Sequence, residues 1–464
     1  MVLISGLVAA LLVGQEAEAV AKGVRFLVES QDQDGSWSTE IGESREPGMR
    51  IAVTAMALHA LLAAEPSPAS VDSVKKGLAF IRGNLDSLDG PFEANPQFNF
   101  NIWGVSLGLV HLHGVSKRWP ASAGPKPDLG SIIEALVKKA EKAQLPCGGW
   151  TYLKKNRSGN DVKDGSVSFL TASMIEGLLK WRGEGHKGAE KLLPKAVADL
   201  DRLLGTKEGV PYSHEGDYNA GLAGDHALRT VQARLALLEA GKGSADALEE
   251  SIGLYFKARG EFEKLRNTYA HTPPSMIAGY YYYFGLVQVA RGIRRLGRDP
   301  ADRAGLLRRV LLKEQLQDGS WKDVEAGGKS CGTAMALLSL DELGTILWIT
   351  SADEAIAAAK EAARPVLVFL TDGKKDGSDT EKAMRDPGVL ELLQRFSCVK
   401  VSITKDDPVC RKTKITYGCA ILIVDPRLED PLDKPVKKWT GMKTAKKLKE
   451  DLAKAIKDWK TGDR

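Results

Sequence analysis

The densest group of reactive side chains occupies one stretch, VPYSHEGDYNAGLAGDHALRT. His214, Glu215, Asp217, Asp225 and His226 fall there within 13 residues. Imidazoles and carboxylates together suit a divalent metal ion, or a general acid paired with a general base. Either role requires the stretch to fold back so that its two ends converge. Splayed in solvent it is a capping loop, with Asp225 placed to cap a helix beginning near Ala227. The spacing fits no metal-ligand motif, and neither a metal site nor a cofactor is assigned from it.

A second concentration is aromatic. Four consecutive tyrosines run from position 280 to 283. Successive helical residues turn by about 100°, so only one or two of them can face one way. Tyr280, Tyr281 and Tyr283 are candidates to line a ligand site, against a packed aromatic core as the plainer alternative. His111 and His113 close an apolar helix, where imidazoles complement the C-terminal dipole. Cys147, Cys331, Cys398, Cys410 and Cys419 include no Cys-x-x-Cys pair. Buried free thiols are expected, with a Cys410–Cys419 disulfide as the alternative in an oxidising compartment.

A phrase used three times announces the elements that must position these groups. Gln31, Gly35 and Trp37 in QDQDGSW share their spacing with Gln144, Gly148 and Trp150 in QLPCGGW. Gln315, Gly319 and Trp321 in QLQDGSW repeat it. Lys22-Gly23 precedes the first copy, and Lys76-Gly77 opens a degenerate copy without Gln or Trp. Glycine permits the chain reversal, Gln offers hydrogen bonds to a neighbouring helix end, and the indole covers the polar contact.

Each copy separates two apolar helical stretches, and six hairpins can be traced. The first three pair 20–30 with 51–64, 71–81 with 101–112, and 132–143 with 166–181. The others pair 194–204 with 227–240, 247–257 with 275–294, and 304–315 with 331–340. Leading helices carry charge on one face, whereas returning helices are apolar nearly all round. One-sided helices belong outside and all-round apolar helices inside. Six of each in alternation predict a closed double ring, an α/α toroid.

At 464 residues the chain exceeds the usual single-domain size. A net charge of +5 with basic and acidic residues interspersed leaves no nucleic-acid footprint. Residues 1–19, MVLISGLVAALLVGQEAEA, read as a secretory signal: an apolar run, then Ala17-Glu18-Ala19 as a small-x-small cleavage pattern. Export to the periplasm or the medium is therefore expected, and no later segment is long and apolar enough to span a bilayer. The toroid is expected over 20–342.

Over 343–464 the pattern changes to alternating strands and helices. Strands are expected at 346–349, 366–370, 399–403 and 420–424, with helices at 352–363, 381–396 and 444–459.

The Lys-Gly-x-x-Phe-Leu-x-x-x-Gln-x-x-x-Gly-x-Trp stretch resembles the QW repeat of squalene-hopene cyclases and their relatives, the terpenoid-cyclase and protein-prenyltransferase superfamily. DGSVSFLTASMIEGL and GYYYYFGLVQVARG also resemble stretches of exported bacterial members. The resemblance implies the toroid fold; the chemistry of the superfamily is another matter. Its cyclases use an Asp-x-Asp-Asp acid, which this toroid lacks, and its prenyltransferases hold zinc with Asp-x-Cys, where Lys329 stands two before Cys331. At 6% aromatic residues the chain is also poorly supplied for carbocation stabilisation. The C-terminal pattern resembles the thioredoxin fold, but TDGKKDGSDT replaces its Cys-x-x-Cys and Cys419 falls at its cis-proline, so both redox elements are missing. An exported toroid that binds an apolar small molecule or a polypeptide segment, fused to a redox-inactive thioredoxin-like module, is the expected protein. The alternative is a cyclase or prenyltransferase with a non-standard acid, for which Asp161, Asp164 or the loop from His214 to His226 would serve.

Overall fold

The computed structural model describes residues 2–38, 46–64, 67–89, 98–120, 123–154, 165–205, 209–213, 223–265, 282–296, 303–323, 328–344, 348–349, 352–361, 364–384 and 395–461, with 386, 389, 392 and 393. Two compact units form. One comprises Ala17–Gly292 and Leu307–Asp341; the other comprises Met1–Glu16, Ile293–Leu306 and Glu342–Arg464. Helices α10, α11 and α12 below thus belong to the first in their larger part, and α1 belongs to it from Ala17 onward.

The first unit alternates outer and inner helices. The outer ones are α1 (Val2–Glu29), α3 (Pro68–Gly83), α5 (Gly130–Ala143), α7 (Lys187–Leu204), α9 (Ala245–Leu265) and α11 (Arg303–Glu314). The inner ones are α2 (Pro47–Ala63), α4 (Asn101–Arg118), α6 (Ser168–Gly183), α8 (Ala223–Glu239), α10 (Tyr282–Leu296) and α12 (Gly328–Gly344). In α5 only Ile132, Ile133, Leu136, Val137 and Ala140 are buried, a stripe at helical spacing. By contrast α2 is buried at every position from 51 to 58, and α4 from 101 to 112. The binary pattern of the sequence thus sorts the helices into two layers.

The three Gln/Gly/Trp turns are superimposable in their contacts. Trp37, Trp150 and Trp321 are fully buried, and their indoles donate to the carbonyls of Leu27, Ala140 and Leu311 at 2.7–2.8 Å. Their backbone N–H groups donate to Thr54, Thr171 and Thr333, one hydroxyl on each inner helix, at 3.0–3.2 Å. Gly35, Gly148 and Gly319 hold φ of 88°, 104° and 85°, a region that favours glycine. Each Gln bonds its own turn and then reaches the next outer helix. Gln31 donates to Ser73 O, Gln144 to Leu192 O and Gln315 to Ala19 O, at 2.8–3.1 Å.

That geometry revises the expected role of Gln and of Lys-Gly. Gln meets a carbonyl inside a helix rather than a helix end. Lys-Gly belongs to the preceding turn: a Cβ on Gly35 would lie 2.6 Å from Lys76 O, and one on Gly319 would lie 2.7 Å from Lys22 O. For the last turn, the next outer helix is α1. Gly23 of α1 faces Trp321 and Leu337 of the last hairpin, so the double ring closes on itself. The first unit is an α/α toroid.

Several boundaries move. Helix α7 begins at Lys187, with Pro194 inside it, because the residues before the proline already bury Ala189, Leu192 and Leu193. Helix α8 begins at Ala223, so Asp225 lies in its first turn instead of capping it. Helix α4 runs to Arg118, which places His111 well inside it rather than at its end.

The second unit holds a five-stranded sheet in the order β1-β3-β2-β4-β5: Trp348–Ile349, Ser397–Ser402, Val366–Thr371, Cys419–Val424 and Lys437–Thr440. Strands β1, β2 and β3 are parallel, while β4 and β5 run antiparallel to their neighbours. The central strands β2 and β4 are buried throughout, which explains their unbroken apolar sequences. Helices α13 (Ala352–Glu361), α14 (Lys375–Met384), α15 (Pro408–Thr413) and α16 (Ala445–Thr461) accompany the sheet. The helix expected at 381–396 is displaced, since α14 starts at Lys375; β5 and α15 were not foreseen. Cys410 packs in the core of one sheet face and Cys419 in the core of the other, which excludes their disulfide.

Candidate functional site

The inner helices present two chemically different ends. At their N-terminal ends an aromatic group assembles from several segments. Trp103 stands in the first turn of α4, Phe169 in that of α6 and Phe284 in that of α10. Tyr152 and Tyr212 follow inter-helix turns, and Phe98 and Phe100 precede α4. A short bridge between Phe98 and Leu153, and another between Val167 and Ser213, tie these segments to one another. Phe98, Phe100 and Tyr152 stack in sequence with centroids 5.5 Å apart at each step. Trp103 stacks on Phe169 at 5.5 Å, and Phe169 meets Tyr212 edge-on at 5.2 Å. The Tyr152 and Tyr212 hydroxyls hydrogen-bond each other, and Arg229 lies over the Tyr212 ring at 5.8 Å.

Trp103 and Phe284 decide the shape of this end. Helices α4 and α10 are the second and fifth inner helices, opposite one another in a ring of six. Their aromatic rings meet edge to face at 6.4 Å, so the centre of the toroid is bridged at that level. Phe98, Phe100 and Phe284 remain half-buried, whereas Phe169 and Tyr212 are buried. A half-exposed aromatic floor results, suited to stacking against a flat or apolar group. The low aromatic fraction of the chain had suggested a poorly supplied ring; composition counts residues and is blind to their gathering at one end.

Toward the other end the ring carries ions. Glu176 of α6 is buried between Lys180, at 2.6 Å, and Arg291 of α10, with which it forms an ion pair. Arg291 also approaches Glu239 of α8 at 3.7 Å. Arg118 of α4 makes a two-pronged pair with Asp341 of α12. Beside them the Nδ1 atoms of His59 and His111 are 3.2 Å apart. Burial raises the Glu176 carboxyl, but Arg291 and Lys180 outweigh it and hold the group down at about 2. Burial, aided by Lys180 and Arg291 and opposed by Glu176, lowers His111 to about 3. Burial and the neighbouring cations also hold His59 well below the ordinary imidazole range. A carboxylate neutralised by two cations is a poor acid, and an imidazole that resists protonation is a poor base. This end is a clamp.

No family model matches the chain, and no curated protein matches it. Among solved structures, a variant of the type II terpene cyclase MstE from Scytonema, in complex with geranylgeranyl dihydroxybenzoate, has 15% identity and a TM-score of 0.43, covering 72% of this chain and 98% of that one. An inactive variant of an α-1,6-mannanase of Salegentibacter, in complex with α-1,6-mannotetrose, has 10% identity and a TM-score of 0.47, covering 71% and 98%. A sugar epimerase from a ruminal bacterium has 9% identity and a TM-score of 0.44, covering 71% and 99%. Likenesses of this size carry nothing about activity.

Of the residues singled out in sequence, Asp161, Asp164, His214, Glu215, Asp217, Tyr280 and Tyr281 lie outside the described residues, as does the Asp225 side chain. His226 is half-buried on α8. Tyr283 is fully buried, and its hydroxyl donates to Glu314 of the outer helix α11 at 3.2 Å. No group of three or more His, Cys, Asp or Glu among the described residues is arranged to hold a metal ion. Sequence reasoning overlooked His59, Glu176, Arg291, Trp103 and Phe284. Charged residues in otherwise apolar inner helices were the available signal for Glu176 and Arg291.

In the α/β unit, Thr371 ends β2 and a turn leads from it into α14. Asp372 accepts from Gly418 N at 3.0 Å, and the Thr380 hydroxyl lies 3.7 Å from Cys419 Sγ. Burial pushes the Cys419 thiol up and the Cys398 thiol up to about 12, away from reactive thiolates.

Proposed function

We propose that this chain is an exported binding protein whose toroid holds an apolar small molecule, or an apolar polypeptide segment, on the aromatic floor at the N-terminal ends of its inner helices. The observation that carries it is the Trp103–Phe284 contact across the ring beneath the half-exposed Phe98 and Phe100. Such a surface suits docking onto a mouth, whereas enclosure of a reacting chain wants an open interior. Export rests on the apolar N-terminal run with its small-x-small end, and among the described residues no helix is long and apolar enough to cross a membrane.

The C-terminal unit is a thioredoxin-like module without redox function. The strand order with parallel β1, β3 and β2 supports the kinship, and the loss of both redox elements supports the silence. Disulfide exchange measured by insulin reduction should stay at background.

Titration with the apolar fluorophore 1-anilinonaphthalene-8-sulfonate tests the binding reading. The triple variant Phe98→Ala, Phe100→Ala, Phe284→Ala should lose at least about tenfold in affinity, as expected for losing the anchor of an interface. Equal binding by both proteins rejects the site, and native mass spectrometry of the exported protein would show which ligand class travels with it. The aromatic gathering also keeps a cyclase in view, with its acid drawn from Asp161, Asp164 or the loop from His214 to His226. Incubation with polyprenyl substrates would yield cyclised products only on that alternative.

A further inference from the structure

The last turn of the toroid docks on residues that the small-x-small pattern would remove. Gln315 Nε2 donates to Ala19 O at 2.8 Å, the same bond that Gln31 makes to Ser73 and Gln144 to Leu192. The register is common to all three, because the docked carbonyl lies three residues before Lys22, Lys76 or Lys195, the lysine over which each turn's glycine sits. Ala19 is 6% exposed, as befits a residue inside the packing. Helix α1 runs without a break from Val2 to Glu29 through this position.

Comparison of the three outer helices shows what cleavage would remove. In α3 helical residues 68–72 precede the docked carbonyl, and in α7 residues 187–191 do so. Hydrolysis of the Ala19–Val20 bond would add water across it and leave α1 with a Val20 ammonium as its first group. The acceptor for Gln315 would depart with the leader, and no helical turn would precede Lys22. The new positive charge would also stand at a helix N-terminus, where the macrodipole opposes it. This docking joins α1 to the last hairpin beside the contact of Gly23 with Trp321 and Leu337, and only the second would survive the cut.

We propose that residues 17–19 stay in the folded protein as the turn of α1 that closes the toroid, and that any leader is cut on the N-terminal side of Ala17. This rests on the ring geometry and is independent of what the aromatic floor binds. Intact-mass analysis and N-terminal sequencing of the exported protein should place its first residue at or before Ala17. A first residue at Val20, in protein melting at the temperature of a longer form, overturns the proposal. The cause is isolated by combining two start sites, Gln15 and Val20, with Gln315→Ala. In the Gln15 form, Gln315→Ala should lower the melting temperature by about 2 °C or more. In the Val20 form the loss should be smaller, because only the bond to Gly319 O remains to be broken, and failure of that form to fold while the Gln15 form folds has the same meaning. Equal losses in both forms overturn the proposal. Gln31→Ala, which breaks the Ser73 bond, should cost both forms alike if both fold.

Discussion

The two ends of the inner helices solve opposite problems with the same helical scaffold. At the N-terminal ends, aromatic rings from loops and first turns gather into a floor that keeps Phe98, Phe100 and Phe284 partly open. Further along, Glu176, Arg291, Lys180, Arg118 and Asp341 tie four inner helices by ion pairs around a neutral histidine pair. Apolar contact is tolerant of what replaces it, so the first end can exchange water for a ligand. Buried charge is intolerant, because an ion stripped of its partner is left without solvent. Stability should therefore respond most to the turns and the clamp, and binding most to the floor.

Trp321→Ala should have the largest effect, about 3–5 kcal/mol, since it empties a fully buried site and frees Leu311 O at the hairpin that closes the ring. Trp37→Ala and Trp150→Ala should cost similar amounts, read from urea midpoints; three unchanged midpoints would sink the structural role of the phrase. Next comes Arg291→Met, which leaves Glu176 with Lys180 alone and should cost about 3 kcal/mol. Adding Glu176→Gln to it should restore much of that loss. If the double variant is as unstable as the single one, repulsion from an unpaired carboxylate is not the cause.

The histidine pair makes the clamp acid-sensitive. His59 and His111 are held below their ordinary value near 6.5 in the folded state, so the unfolded chain takes up protons first as pH falls. Stability is greatest above about pH 6.5 and declines below it, by about 2 kcal/mol at pH 5 for His111, whose decline continues toward about 3, and His59 adds a loss of the same sign. The Glu176 carboxyl adds its own loss only below its ordinary value of 4.5, as pH falls toward about 2. His59→Gln with His111→Gln should flatten the stability profile between pH 8 and 5, and an unaltered slope would remove the pair from the explanation. The smallest stability effect is expected at the floor: Phe98→Ala should change stability by about 1 kcal/mol or less. The same substitution should weaken fluorophore binding clearly, and the reverse pattern would erase the contrast between the two ends.

Much of the architecture was legible in residue order. Charge along one face of the leading helices, and its scarcity in the returning ones, separates outer from inner layers without any tertiary information. A glycine four positions after a Gln and two before a buried Trp marks each fastening, because a positive φ lets the turn lie against the next helix. Unbroken apolar runs at β2 and β4 announced strands buried on both faces.

What depended on distant partners stayed hidden. Lys76-Gly77 looked like a faded repeat, yet it receives the turn of the preceding hairpin, a relation visible only when the ring is closed. His111 meets His59, and Glu176 meets Arg291, through contacts between different helices, so sequence neighbours such as Lys180 show only part of what sets their protonation. The aromatic floor is drawn from five separate segments, at 98–103, 152, 169, 212 and 284. Local patterning sets which face of an element avoids water, because that choice is made residue by residue. Which side chains then meet, and whether they form a floor or a clamp, is decided by how the ring brings remote elements together.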